Sequence, residues 1–203
     1  MKLIGMLDSP YVRRVAICLK LLKLDFEHQS ISVFSTYEQF KQINPVVKAP
    51  TLELDDGQTL MDSTLIIDYL AHLTPNGADL QPEGSAARLR ACRLTGLALA
   101  AAEKSVQIVY EHKRPDDKQH APWLARVSEQ LLAACGALEA DLVAAPLPTP
   151  GQPFGNAEVT IAVAWNFIQM MMPTLVVAEQ FPALKAFSAR AEQRAEFVST
   201  PAE

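Results

Sequence analysis

The chain has 203 residues, 49% hydrophobic and 20% charged, and a net charge of -5 from 18 basic against 23 acidic side chains. That balance suits one packed domain or two small ones, excludes a disordered chain, and argues against nucleic acid as the main partner. Asp8 and Arg13-Arg14 interrupt the start, which does not read as a secretory leader, and Asn166, Gln169 and Pro173 break the longest apolar run, residues 161–177. No membrane span is expected, and the cytoplasm is the default location.

Residues 2–6 (KLIGM) read as a short buried strand. Asp8-Ser9-Pro10 follows, and Val12, Val15, Ala16, Leu19 and Leu22 then repeat at helical spacing. Serine at the cap with proline at the first helical position is a start signal, although Asp8 is an alternative cap. Residues 25–31 alternate as a second strand, and so short a strand-helix-strand unit implies a right-handed crossover and a parallel pair. Residues 37–43 read as a short helix.

The stretch from Asn44 to Leu70 has its own logic. Pro45 and Pro50 bracket a turn, residues 51–54 alternate as a strand, Asp55-Asp56-Gly57 supplies a hairpin turn, and residues 58–61 return. Asp62-Ser63 then sits where a cap belongs, ahead of Leu65, Ile66, Tyr69 and Leu70 at helical spacing. Turn, hairpin and capped helix in that order place a backbone edge beside a helix N-terminus, a pair suited to a small peptide-like anion. Residues 1–77 therefore form an α/β domain, a four-stranded mixed sheet with helices on both faces.

Residues 78–85 read as a linker, and beyond it strand signals vanish. Residues 86–113 and 121–143 are long helices, and 146–151 (PLPTPG) break the chain. Residues 157–171 are apolar enough for a central buried helix, and a final helix starts near Phe181 and reaches about Glu192. The remaining tail looks loose, within a second, all-helical domain over 86–203. Cys18, Cys92 and Cys135 fall among apolar residues and read as core packing, as does the run Met170-Met171-Met172. The four histidines are scattered, so no metal site is expected.

Four stretches, in this order and spacing, resemble one family: Ser9-Pro10-Tyr11-Val12-Arg13-Arg14-Val15; residues 44–52 (NPVVKAPTL); Asp56-Gly57 through Met61-Asp62-Ser63; and residues 154–159 (FGNAEV). Each is weak alone, but together they are similar to the cytosolic glutathione S-transferases, particularly small bacterial ones. The resemblance implies a thioredoxin-like N-terminal domain, an all-helical C-terminal domain and a homodimer. It also implies glutathione as co-substrate, a small hydrophobic electrophile as its partner, and a role in detoxification.

On that resemblance, the task is to present glutathione as a thiolate. A free thiol has a pKa of about 8.5, so only about 3% is ionised at neutral pH. A shift of about two units needs roughly 2.7 kcal/mol of preferential thiolate stabilisation, within reach of a hydroxyl donor plus a helix N-terminus. Ser9 is placed to give both, although it can serve simply as a cap; Tyr11 is a second hydroxyl donor. Related glutathione-dependent reductases carry cysteine here, so serine favours transfer over thiol-disulfide exchange.

Pro50 matches the family's cis-proline, whose bond exposes the Ala49 backbone to pair in β-fashion with the cysteinyl part of the tripeptide; an ordinary strand-start proline is the alternative. Ser63 suits the γ-glutamyl carboxylate and Asp62 its ammonium. Lys48 can pair with the glycyl carboxylate or remain a solvated lysine, and Val47 is a further backbone contact. Met6, Leu7, Tyr11, Tyr110, Lys113 and Arg114 are candidates for an electrophile pocket expected between the domains.

Val47 stands where the family has glycine, Ala49 where it has valine, and Asp62 where it has glutamate. Gly155 and Glu158 replace a serine and an aspartate, and Asn156 is an alternative cap there. Besides transfer, two other functions are compatible: a non-catalytic glutathione-binding or regulatory protein, and a glutathione-dependent isomerase, peroxidase or dehalogenase.

Overall fold

The structure, a computed structural model, describes residues 1–148 and 154–202. Residues 149–151 of the expected break lie outside the described residues. The chain divides into two compact units, the first from Met1 to Gln81 joined by the tail from Gln193 on, the second from Pro82 to Glu192. The tail thus packs with the N-terminal unit, where the sequence placed it in the helical one.

In the first unit, β1 (Lys2–Ile4) is followed by α1 (Pro10–Leu21), β2 (Glu27–Gln29), α2 (Tyr37–Ile43), β3 (Thr51–Glu53), β4 (Thr59–Met61) and α3 (Ser63–His72). The sheet has the order β2-β1-β3-β4, with β1 parallel to β2 and antiparallel to β3. This is the thioredoxin-like mixed sheet. Leu3 and Ile4 point to opposite faces, and both are fully buried, so β1 is covered on each side. On one face Ile4 packs with Ile31 and with Phe40 of α2.

β1 stops short of Met6 because Gly5 turns at φ 134. A Cβ there would stand 2.6 Å from Cγ2 of Val12, so the bare glycine lets the strand end meet the start of α1. Gly57, at φ 84, turns the hairpin, and Leu54 N–H closes on Gln58 O at 2.8 Å.

The second unit is built on α4 (Ser85–His112), α5 (Ala121–Ala144), α6 (Asn156–Met171) and α7 (Pro182–Ala191). α6 is buried along most of its length and packs on α4 and α7. Asp141 of α5 takes Arg90 and Arg93 of α4, and the Glu139 carboxylate accepts the N–H groups of Ala183 and Leu184 at 2.8 Å, capping α7. The Glu111 carboxylate accepts the N–H of His120 at 2.8 Å and contacts Arg114, closing the α4–α5 connection.

Several expectations are corrected. Cys92 is exposed, because it lies two positions, about 200°, from the buried Leu94 on α4. Met170 and Met171 are exposed at the end of α6, and only Met172 of that run is buried. Gly155, not Asn156, is the residue before α6; it has no side chain to offer, and Glu158 reaches back to its N–H at 3.0 Å. The tail is not loose, for it forms α8 (Ala195–Val198), with Phe197 only 1% exposed.

Candidate functional site

Two helix N-termini in the first unit carry the residues of interest. At α1, Pro10 forces the residue before it out of the helical region, and Ser9 is accordingly extended, at φ -71 and ψ 123. Ser9 is the cap, but Val12 N–H reaches its Oγ only at 3.5 Å, the outer limit of a hydrogen bond. A hydroxyl that accepts also retains its own hydrogen to donate. Capping and donation to a ligand sulfur are therefore compatible at Ser9.

At α3 the cap is Asp62, whose carboxylate accepts Thr64 N–H at 2.9 Å, and Ser63 is the first helical residue. Asp62 sits at φ 72 and ψ 118, a region rarely occupied outside glycine and characteristic of constrained sites. Arg14, which the sequence reading named only within its motif, joins the two helices. Its Nη1 donates to Ser63 Oγ at 3.0 Å and to Thr64 Oγ1 at 3.1 Å, and its side chain is 1% exposed. Burial pushes its guanidinium below the ordinary value, opposed by Cys18 and Asp62; the same burial pushes the Cys18 thiol up to about 12. Cys18 is therefore no thiolate nucleophile at neutral pH.

Between α2 and β3 the chain is held by two buried polar side chains. Asn44 accepts Val46 N–H at 3.0 Å and donates to Thr51 Oγ1 at 2.9 Å, while Thr51 Oγ1 donates to Lys48 O at 2.8 Å. The Ala49–Pro50 peptide bond is cis, and Val47 stands at φ 52 with its N–H on Asn44 O. Asn44 and Thr51 were missed as site-forming residues; at a separation of seven positions they gave no sequence signal of mutual contact. Lys48 is exposed and Ala49 half-buried.

Met6, Leu7 and Tyr11 lie in the first unit with Ser9, and Met6 O accepts Ser9 N–H at 3.2 Å. Tyr110, Lys113 and Arg114 lie at the C-terminal end of α4 in the second, where partial burial raises the Tyr110 phenol above its ordinary value. Arg114 is engaged by Glu111 at 3.3 Å. Among the described residues no group of three or more His, Cys, Asp or Glu could hold a metal ion.

Residues 3–78 match the family model of the glutathione S-transferase N-terminal domain. An uncharacterized GST-like protein, YibF, of Escherichia coli strain K12 is 27% identical over 173 residues, 85% of each chain. A glutathione S-transferase from Methylobacillus flagellatus KT, solved with glutathione bound, is similar at TM-score 0.87 and 26% identity over 98% of each chain. A glutathione transferase family member from Pseudomonas fluorescens Pf-5, with bound S-(propanoic acid)-glutathione, is similar at TM-score 0.78 and 28% identity, also over 98% of each. Residues 3–78 thus carry a glutathione S-transferase N-terminal domain, and the fold along nearly the whole length of the chain is that of these glutathione S-transferases.

Proposed function

We propose that the protein is a glutathione transferase that ionises the thiol of glutathione at Ser9 and conjugates it to a small hydrophobic electrophile. The observation that carries this reading is Arg14 bridging α1 to the hydroxyls that open α3, so that the two helix tips belong to one tied assembly. The γ-glutamyl carboxylate binds at Ser63 and the adjacent ammonium at Asp62, where a helix N-terminus and a carboxylate complement them. The cysteinyl backbone pairs at Ala49, with Val47 beside it, and Lys48 reaches the glycyl carboxylate. Met6, Leu7 and Tyr11 face the electrophile, with Tyr110, Lys113 and Arg114 as the second unit's candidates.

Serine at position 9 favours transfer over disulfide exchange. A cytoplasmic location and a homodimer belong to the same reading. Among the described residues no helix is long and apolar enough to cross a membrane, and exposed Leu65 and Tyr69 on α3, with Leu73 just after it, support the homodimer.

The test is conjugation of 1-chloro-2,4-dinitrobenzene, followed by absorbance with and without glutathione. Glutathione-dependent turnover is expected, with Ser9→Ala lowering kcat by about tenfold to a hundredfold, the worth of one hydrogen bond to a charged group. Glutathione binding without turnover across a panel of electrophiles would favour the non-catalytic alternative instead.

A further inference from the structure

The contact between Arg14 and α3 has a direction. A guanidinium carries five N–H donors and no acceptor, so Ser63 Oγ and Thr64 Oγ1 can only accept from Arg14 Nη1. Each hydroxyl keeps its own hydrogen, which must then donate elsewhere. Thr64 N–H is already turned to the Asp62 carboxylate. Two hydroxyls whose oxygens are engaged from behind by a cation are fixed as donors, and strengthened as donors by its charge. A side chain held at 1% exposure to do this carries a desolvation cost, and arginine keeps its charge under that burial where lysine would readily lose it.

We propose that Arg14 is a positioning residue for the γ-glutamyl carboxylate of glutathione: it orients the Ser63 and Thr64 hydroxyls toward that anion and sets a buried positive charge behind them. The proposal rests on the glutathione reading above and adds to it a residue that touches neither the ligand nor the sulfur. A mere strut between α1 and α3 would, when lost, weaken every ligand alike. A positioning residue weakens only ligands that carry the carboxylate.

The experiment is calorimetric titration of the full chain with two probes. One is glutathione; the other is the same tripeptide with hydrogen in place of the γ-glutamyl α-carboxylate, 4-aminobutyryl-cysteinylglycine. The wild type is expected to prefer glutathione by about a hundredfold, and Arg14→Met to cut that preference by at least about tenfold. The analogue's affinity should stay within about threefold of the wild-type value. Circular dichroism establishes folding, and Arg14→Gln, which keeps a neutral donor in the same space, serves if Arg14→Met does not fold. An unchanged preference in a folded variant overturns the role of Arg14 while leaving the site intact. A wild type with no preference between the probes overturns the carboxylate site itself, and Arg14 falls with it.

Discussion

Val47 shows how a single residue reports on its site. Its φ of 52 is costly for a β-branched side chain, on the order of 1–3 kcal/mol. Against that stands its packing on Ile4, Ile31 and Phe40, worth about 1–2 kcal/mol for a half-buried valine, and the extra chain entropy a glycine would lose, roughly 1 kcal/mol. The effects nearly cancel, so Val47→Gly is expected to change unfolding stability by less than about 1 kcal/mol in urea. A loss above about 3 kcal/mol would mean that the backbone stores no strain there. The departure from the family's glycine was legible in the sequence, but the left-handed backbone it marks was not. Ser9 and Pro10 were legible because cap and proline act on their immediate neighbours. Arg14 was not, because its partners lie 49 and 50 positions away.

Among the elements, α3 divides its two sides most sharply. Ser63, Ile66, Ile67 and Leu70 are buried, whereas Leu65 is 63% exposed, with Tyr69, Leu73 and Met61 of β4 also exposed. Apolar residues at four-residue spacing on the outer side form the kind of patch that marks an interface, and a second copy of the chain is its occupant in the proposed reading. Leu65→Glu is expected to leave the circular dichroism unchanged and to halve the mass seen by sedimentation. A wild type that sediments as a monomer at tens of micromolar would contradict this. The helices from α1 to α7 announce themselves by periodicity, with ends displaced by a residue or so, because burial of one face drives them. α8 does not, since four residues around one phenylalanine have no period to read.

The tail matters at the scale of the molecule, because the chain leaves its first unit at Gln81 and returns to it from Gln193. Phe197 is buried on α1, Arg13 lies over its ring at 5.5 Å, and Arg13 Nε donates to Thr200 O at 2.8 Å. Removing a fully buried phenylalanine costs about 3–5 kcal/mol, so Phe197→Ala should lower the melting temperature by on the order of 10 °C. An unchanged melting curve would show that the tail adds nothing to the fold of the unit that carries Ser9. Two units and a mixed sheet were legible because composition shifts sharply after residue 77, but the return of the tail depends on a buried arginine that sequence order does not reveal. In the proposed reading function belongs to this scale as well, since sheet, cis-proline turn and both helix tips act on one tripeptide. The most direct measurement is an ultraviolet pH titration of the thiolate of protein-bound glutathione, in the wild type and in Ser9→Ala. The expected result is a bound-thiol pKa about two units below the ordinary value of about 8.5, moving back toward it in the variant; the same depressed pKa in both proteins would remove Ser9 from the chemistry.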